Sequence, residues 1–216
     1  MRTKIALILF CVIACREVEE PLSIGYDYFP LEVGNEWVYQ VDSIDFDDFT
    51  KSSDTFRYYR QEVIVELADV SSETDRYYVD VAYKTDTTDW KYRYTMLVYK
   101  NDIRAVRSIS NKPVVYLLFP VKERVYWDAN QLNSEREDRF RYIDTHRNRA
   151  SLKDSFPNTI FVQQAFDTTI IDEDIRWELF AENVGLVEKQ AITLEKQQEK
   201  RKGSNIHWKL ISHTKK

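Results

Sequence analysis

Tyr77-Tyr78-Val79-Asp80-Val81-Ala82-Tyr83-Lys84 decides the fold, together with the stretch that follows it, Trp90-Lys91-Tyr92-Arg93-Tyr94-Thr95-Met96-Leu97-Val98-Tyr99. In the first, Tyr77, Val79, Val81 and Tyr83 alternate with Tyr78, Asp80, Ala82 and Lys84. In the second, Trp90, Tyr92, Tyr94, Met96 and Val98 share one parity. A period of two is the mark of a strand with one face buried and one face wet. Aromatic and β-branched residues suit such a surface.

The same reading extends outward. Tyr59, Val63, Val65 and Leu67 lie on one parity of an earlier run, with Arg60, Glu62 and Glu66 on the other. Turn chemistry separates the runs at residues 71–75, 85–89, 101–102 and 111–113, and again at Lys202-Gly203-Ser204-Asn205. Connections this short join antiparallel neighbours, because parallel strands need a long crossover. Residues 121–141 are highly charged and read as a short helix or an irregular excursion, whereas Ile192 and Leu194 flanking Thr193 read as strand. The expected fold is mainly β: one large, strongly curved antiparallel sheet of about nine to eleven strands, a half-barrel or sandwich, with few or no helices.

The N-terminus carries a different signal. Arg2 and Lys4 precede an apolar run over residues 5–14, closed by Val12-Ile13-Ala14-Cys15. A basic start, a short apolar stretch and a small residue before the cut make a secretory signal. Ten apolar residues are too few to span a bilayer core, which takes roughly 20. Val12-Ile13-Ala14-Cys15 resembles the lipobox of bacterial lipoproteins, which implies cleavage before Cys15 and diacylglycerol on its sulfur. One acyl chain anchors only marginally, while two or three hold a protein stably. Residues 1–14 are then signal peptide, 15–27 a lipidated tether and 28–216 a single β domain. The acidic Glu17, Glu19 and Glu20 beside the cysteine resemble the surface-export signal of Bacteroidetes lipoproteins, a reading that stands level with a plain solvated tether. Outer membrane is the expected location, with its face open.

Cleavage removes Cys11 and leaves Cys15 as the last cysteine, so no disulfide supports the domain and its core must do so alone. It also removes Arg2 and Lys4, shifting the formal charge from −5 to −7. That acidity argues against nucleic acid, which needs a concentrated basic surface.

A resemblance covers the start, middle and end of the mature chain. Tyr28-Phe29-Pro30-Leu31, Val33-Gly34-Asn35-Glu36-Trp37-Val38-Tyr39 and Val41-Asp42-Ser43-Ile44 resemble the opening of uncharacterised Bacteroidetes lipoproteins. Leu118-Phe119-Pro120-Val121, Trp127-Asp128-Ala129-Asn130 and Asn183-Val184-Gly185-Leu186-Val187 fit the same pattern. Arg124-Val125-Tyr126 departs from it, since such proteins carry glycine before this tryptophan. The resemblance implies a β-rich envelope lipoprotein and no particular activity. Physically, Gly34-Asn35 suits a tight turn into the first strand, with Trp37 and Tyr39 on one face, and Gly185 suits a turn or bulge barred to other residues.

Familiar chemistries find little support. His146, His207 and His213 are dispersed, and only the last two share a strand face, roughly 20 Å apart when extended, too far for one zinc ion. Asp42, Asp45, Asp47 and Asp48, like Asp172, Glu173 and Asp174, lack the spacing and glycine of a calcium loop and read as solvated turn charge. There is no G-x-S-x-G elbow and no glycine-rich phosphate loop. Carboxylate pairs carry no weight among 36 acidic residues. No catalytic residue, metal site or cofactor is expected. Trp90, Tyr92 and Tyr94 are the candidate ligand face, against the plainer reading that aromatics pack the core. The leading expectation is a non-enzymatic membrane-anchored domain that binds a protein or scaffolds the envelope. A carrier of lipid or another hydrophobic ligand is the alternative, marked by an open apolar concavity, and a hydrolase is third, marked by a nucleophile–base pair or close carboxylates.

Overall fold

The computed structural model describes residues 24–70, 74–151, 154–197 and 200–216. The expected signal peptide, Cys15 and most of the expected tether lie outside them. Twelve strands form one antiparallel sheet: β1 (Glu36–Asp47), β2 (Ser52–Val70), β3 (Asp75–Lys84), β4 (Lys91–Lys100), β5 (Arg104–Ile109), β6 (Lys112–Leu118), β7 (Tyr126–Asp128), β8 (Arg139–Ser151), β9 (Asp154–Thr168), β10 (Asp172–Ala181), β11 (Gly185–Gln197) and β12 (Lys200–Thr214). A single 3-10 turn at Tyr26–Tyr28 precedes them. The mainly β, strongly curved antiparallel architecture is as the alternation dictates. The short β7 arises inside the charged stretch 121–141 and brings the strands to twelve.

The sheet order is β6-β5-β4-β3-β2-β1-β12-β11-β10-β9-β8-β7. Every pair of successive strands is therefore hydrogen-bonded except β6 and β7, while β1 and β12 pair across the whole chain, from Glu36↔Thr214 to Phe46↔Gly203. Bulges interrupt most ladders, among them those at Val81/Ala82, Ala105/Val106 and Leu179/Phe180. A bulge adds a residue to one strand and tightens the coil, so twelve strands curl into a nearly closed barrel. Its two free edges meet through Val115 N–H donating to Ala129 O (2.9 Å) and Trp127 Nε1 donating to Val115 O (2.9 Å). Beside them the Tyr142 hydroxyl donates to Leu118 O (2.7 Å) and accepts from Leu118 N–H (2.9 Å).

One end of the barrel is a floor. Residues 24–35 cross it, and Tyr28, Phe29, Trp37 and Tyr39 fill it. Gly34 N–H donates to Ile64 O (2.8 Å), and Ile64 N–H returns a bond to Asn35 O (3.0 Å). Gly34 and Gly185 both hold positive φ, the glycine conformation anticipated at these turns. Trp37 Nε1 donates to Val184 O (2.6 Å) and the Tyr39 hydroxyl to Leu186 O (3.0 Å), tying the β1 wall to β11 and its turn. Lys100 Nζ donates to Tyr26 O and Phe29 O, each at 2.9 Å.

Three local readings are corrected. On β2 the polar parity faces inward: Arg60 and Glu62 are 3% exposed, whereas Val65 and Leu67 are 40% and 41% exposed. Pairing of the two charges with each other and with neighbouring strands outweighs the rule that charge faces water. Lys202-Gly203-Ser204-Asn205 is not a turn but part of β12, since the β11–β12 ladder runs out to Gln197↔Lys200. Gly203 is required there because a Cβ would stand 2.0 Å from Thr193 O. Asp172, Glu173 and Asp174 open β10 rather than form a turn, and Asp174 and Glu173 pair with Arg176 and Lys196.

Candidate functional site

Above the floor the alternation of four strands delivers charge instead of hydrocarbon. β2 contributes Arg60 and Glu62, β5 Arg107, β10 Glu178 and β11 Lys189. Glu178 is fully buried, and the Arg107 side chain is only 11% exposed. Isolated charges there would be prohibitive, so each must be compensated locally. Arg60 Nε donates to Glu62 Oε1 at 2.8 Å, its other nitrogens reach the hydroxyls of Tyr83 and Tyr94, and Arg107 lies 4.0 Å from Glu62 Oε2. Lys189 Nζ donates to Glu178 Oε1 at 2.8 Å. The Trp208 ring links the two groups, with the Arg60 guanidinium 4.6 Å and the Lys189 ammonium 5.2 Å from its centre. Both are cation–π distances.

Three cations face two carboxylates, so the chamber holds one uncompensated positive charge. Burial works to raise the Glu62 pKa, but Arg60 and then Arg107 hold it below the usual carboxylate value. Burial, reinforced by Glu62, drives the Tyr39 hydroxyl well above its ordinary value, and burial lifts Tyr83 to about 12 despite Arg60. Both tyrosines are therefore neutral at physiological pH. Within the chamber two buried polar atoms, Glu178 Oε2 and Trp208 Nε1, have no partner among the described residues.

Between chamber and floor, beside Tyr39, Glu62, Ile64, Arg107 and Leu186, is a cavity of about 30 Å³, room for about one water. The opposite end of the barrel from residue 24 is open. One cleft of about 500 Å³ is lined by Tyr58, Tyr83, Lys84, Thr88, Lys91 and Arg93, with Thr85 at its edge. A second of about 640 Å³ adjoins it through Tyr58 and Thr85 and reaches Ser43, Asp45, Arg57 and Ile206. Tyr58 and Tyr83 pack edge to face, 5.5 Å between ring centres, and separate the clefts from Arg60.

The aromatic stripe Trp90, Tyr92 and Tyr94 is split. The bulge between β3 and β4 pairs Val81 with Tyr94 and Ala82 with Tyr92, leaving Arg93 as the extra residue. Tyr94 consequently faces the chamber, Tyr92 is 62% exposed with its hydroxyl 2.9 Å from Thr95 Oγ1, and Trp90 sits before β4 with Lys84 Nζ 4.7 Å from its ring. The histidines are equally dispersed: His146 Nδ1 meets the Tyr28 hydroxyl (3.0 Å), His207 meets Glu188 (2.7 Å), and His213 stacks on Trp37 (5.4 Å). Among the described residues no three histidine, cysteine or acidic side chains gather as metal ligands do. The His207 ring is held by Glu188, and the buried Ser151 hydroxyl has no hydrogen-bond partner among the described residues, so no histidine is placed to activate it. Of the first acidic cluster, Asp42 pairs with Arg57, and Asp47 accepts from Phe49 N–H at 2.8 Å.

The chamber residues were not singled out by sequence reasoning. One signal was present: Arg60 and Glu62 share the parity of Ile64, so a charged pair is in step with a core position.

No protein-family model matches the chain, nor does any curated protein. Solved structures do. A candidate exported protein of Bacteroides fragilis with a YmcC-like fold superposes with a TM-score of 0.51 at 9% identity, covering 87% of this chain and 98% of its own. A candidate lipoprotein of Parabacteroides distasonis gives 0.51 at 10% identity, with the same coverage of 87% and 98%. At such identities the likeness establishes a shared fold.

Proposed function

We propose that the chain is a lipid-anchored protein of a bacterial outer membrane, held through Cys15, whose barrel is a non-enzymatic binding module with its open mouth as the ligand face. The observation that carries this reading is polarity along the barrel axis. The tether joins at the wired floor, and the clefts of about 500 and 640 Å³ open at the other end. A module built this way presents its mouth away from the membrane that holds it. The lipobox supports the anchor, and so does the description of the two structural neighbours as exported protein and lipoprotein.

Carriage of a whole lipid inside the barrel has less support, because side chains fill the interior and its cavity of about 30 Å³ takes no acyl chain. Hydrolysis has less support still, since no base partners the Ser151 hydroxyl among the described residues.

The test is native mass spectrometry of protein extracted from its own membrane with Cys15 intact. The expected mass lacks residues 1–14 and gains diacylglycerol, and Cys15→Ala releases the protein from the membrane fraction. A non-covalent adduct lost on substitution at the mouth supports the binding role. An unmodified, unanchored chain overturns the proposal of a lipoprotein.

A further inference from the structure

The mouth has a chemistry of its own. Two tyrosines, two threonines, two lysines and an arginine line the cleft of about 500 Å³, and no carboxylate does. In a chain of formal charge −5 that concentration of cations is unexpected. None is ion-paired among the described residues: Lys91 and Arg93 meet no carboxylate, and Lys84 stands over the rings of Tyr59 and Trp90. Behind the Tyr58–Tyr83 wall lies the chamber with one positive charge in excess. Its field has the same sign as that of the lip, and the carboxylate that opposes them is Asp45 of the adjoining cleft.

We propose that this cleft binds a phosphate monoester. The inference rests on the mouth being the ligand face and is independent of the lipid anchor. A dianion matches three cations free of ion pairs better than a single carboxylate does. Arg93, the extra residue of the β4 bulge, brings a planar fork suited to two phosphate oxygens, while Lys84 and Lys91 act as point charges. The Thr85 and Thr88 hydroxyls can add hydrogen bonds from a loop already ordered by Thr88 Oγ1 accepting from Thr85 N–H at 2.9 Å. The ester's body would rest against Tyr58 and Tyr83. Such a group could belong to a soluble metabolite or to a membrane headgroup.

Trp90 supplies the readout, since Lys84 lies 4.7 Å from its ring. The full chain is titrated with glycerol 3-phosphate, glycerol and acetate at constant ionic strength while tryptophan emission is followed. A parallel arm measures co-sedimentation with phosphatidylcholine vesicles containing phosphatidic acid, whose headgroup is a phosphate monoester. Saturable change with glycerol 3-phosphate is expected, weakened about tenfold or more in K84Q/K91Q/R93Q and unaltered in R139Q, an exposed arginine outside the cleft. Co-sedimentation that the triple variant abolishes, without a response to the soluble ester, would identify a lipid headgroup as the source. The reverse pattern would identify a soluble ester. An equal response to glycerol or acetate overturns the phosphate assignment while leaving a ligand face at the mouth. Silence in every arm, or binding that the triple variant keeps, overturns the site itself.

Discussion

The floor of the barrel and the chamber above it grow from the same alternation of residues, yet they hold together by opposite means. At the floor, large rings with one polar atom reach across to backbone carbonyls, as Trp37 does to Val184, Tyr39 to Leu186 and Tyr142 to Leu118. Those bonds need no charge and lock the walls to one another. In the chamber, side chains satisfy side chains, and the pairing of Arg60, Glu62 and Arg107 depends on every member keeping its charge. Backbone-directed bonds make a rigid end that tolerates a change of pH. Mutual charge compensation makes a layer whose parts stand or fall together.

The largest effect expected from breaking this contrast is at Glu62. Glu62→Leu leaves Arg60 and Arg107 buried without their carboxylate and should cost about 3–5 kcal/mol in denaturant unfolding. A loss below about 1 kcal/mol would mean the charges are solvated and the chamber is not a paired layer. Tyr142→Phe tests the floor side of the seam. It strips Leu118 N–H and C=O of their partner and should cost about 1–3 kcal/mol. A neutral result there would remove the backbone-wiring half of the comparison.

Acidity separates the two layers more finely. The Glu62 pKa lies below its ordinary 4.5 in the fold, so the unfolded chain binds that proton more tightly. Its stabilisation is complete above about pH 4.5 and is lost as pH falls through the lower folded value. Glu62→Gln cannot titrate, and its deficit against the wild type should therefore be largest at neutral pH and shrink below about pH 4.5. Tyr142→Phe should show a deficit independent of pH over the same range, so parallel curves for both variants would erase the distinction. Smallest of all, Phe49→Ser and Ile170→Ser at the hairpin tips, 91% and 94% exposed, should shift stability by no more than about 0.5 kcal/mol. A large shift at either would show that the rim is packed in solution, contrary to its exposure.

These layers differ as well in how plainly the sequence announces them. Val79, Val81, Met96 and Val98 face inward as their alternation dictates, because an apolar residue on a one-sided strand has a single favourable direction. The positive-φ glycines at Gly34 and Gly185 were legible for a similar reason, since few other residues take that conformation. The chamber was hidden because a charged residue read alone is assigned to solvent, and Arg60 is buried only because Glu62, Tyr83 and Tyr94 arrive from the same and neighbouring strands. The stripe Trp90, Tyr92, Tyr94 failed to stay together through one inserted residue at Arg93, which reverses the face of everything before it. At Gly203 the composition of a turn conceals a close approach of two backbones inside a ladder.

The pairing of β1 with β12 carries a consequence for how the molecule comes into being. Glu36 and Thr214 are ladder partners, so the central contact of the sheet joins residues from nearly opposite ends of the described chain. Contacts of such long sequence separation are the slowest to form. A chain delivered N-terminus first, from a ribosome or through a membrane pore, can build the hairpins from β1 to β6 early. β1 must nevertheless wait with one edge bare until the last strand emerges. During that interval the protein is an open ribbon with an unsatisfied strand edge, the state in which a sheet is most prone to pair with the wrong chain. Completion of the barrel is thus tied to completion of delivery.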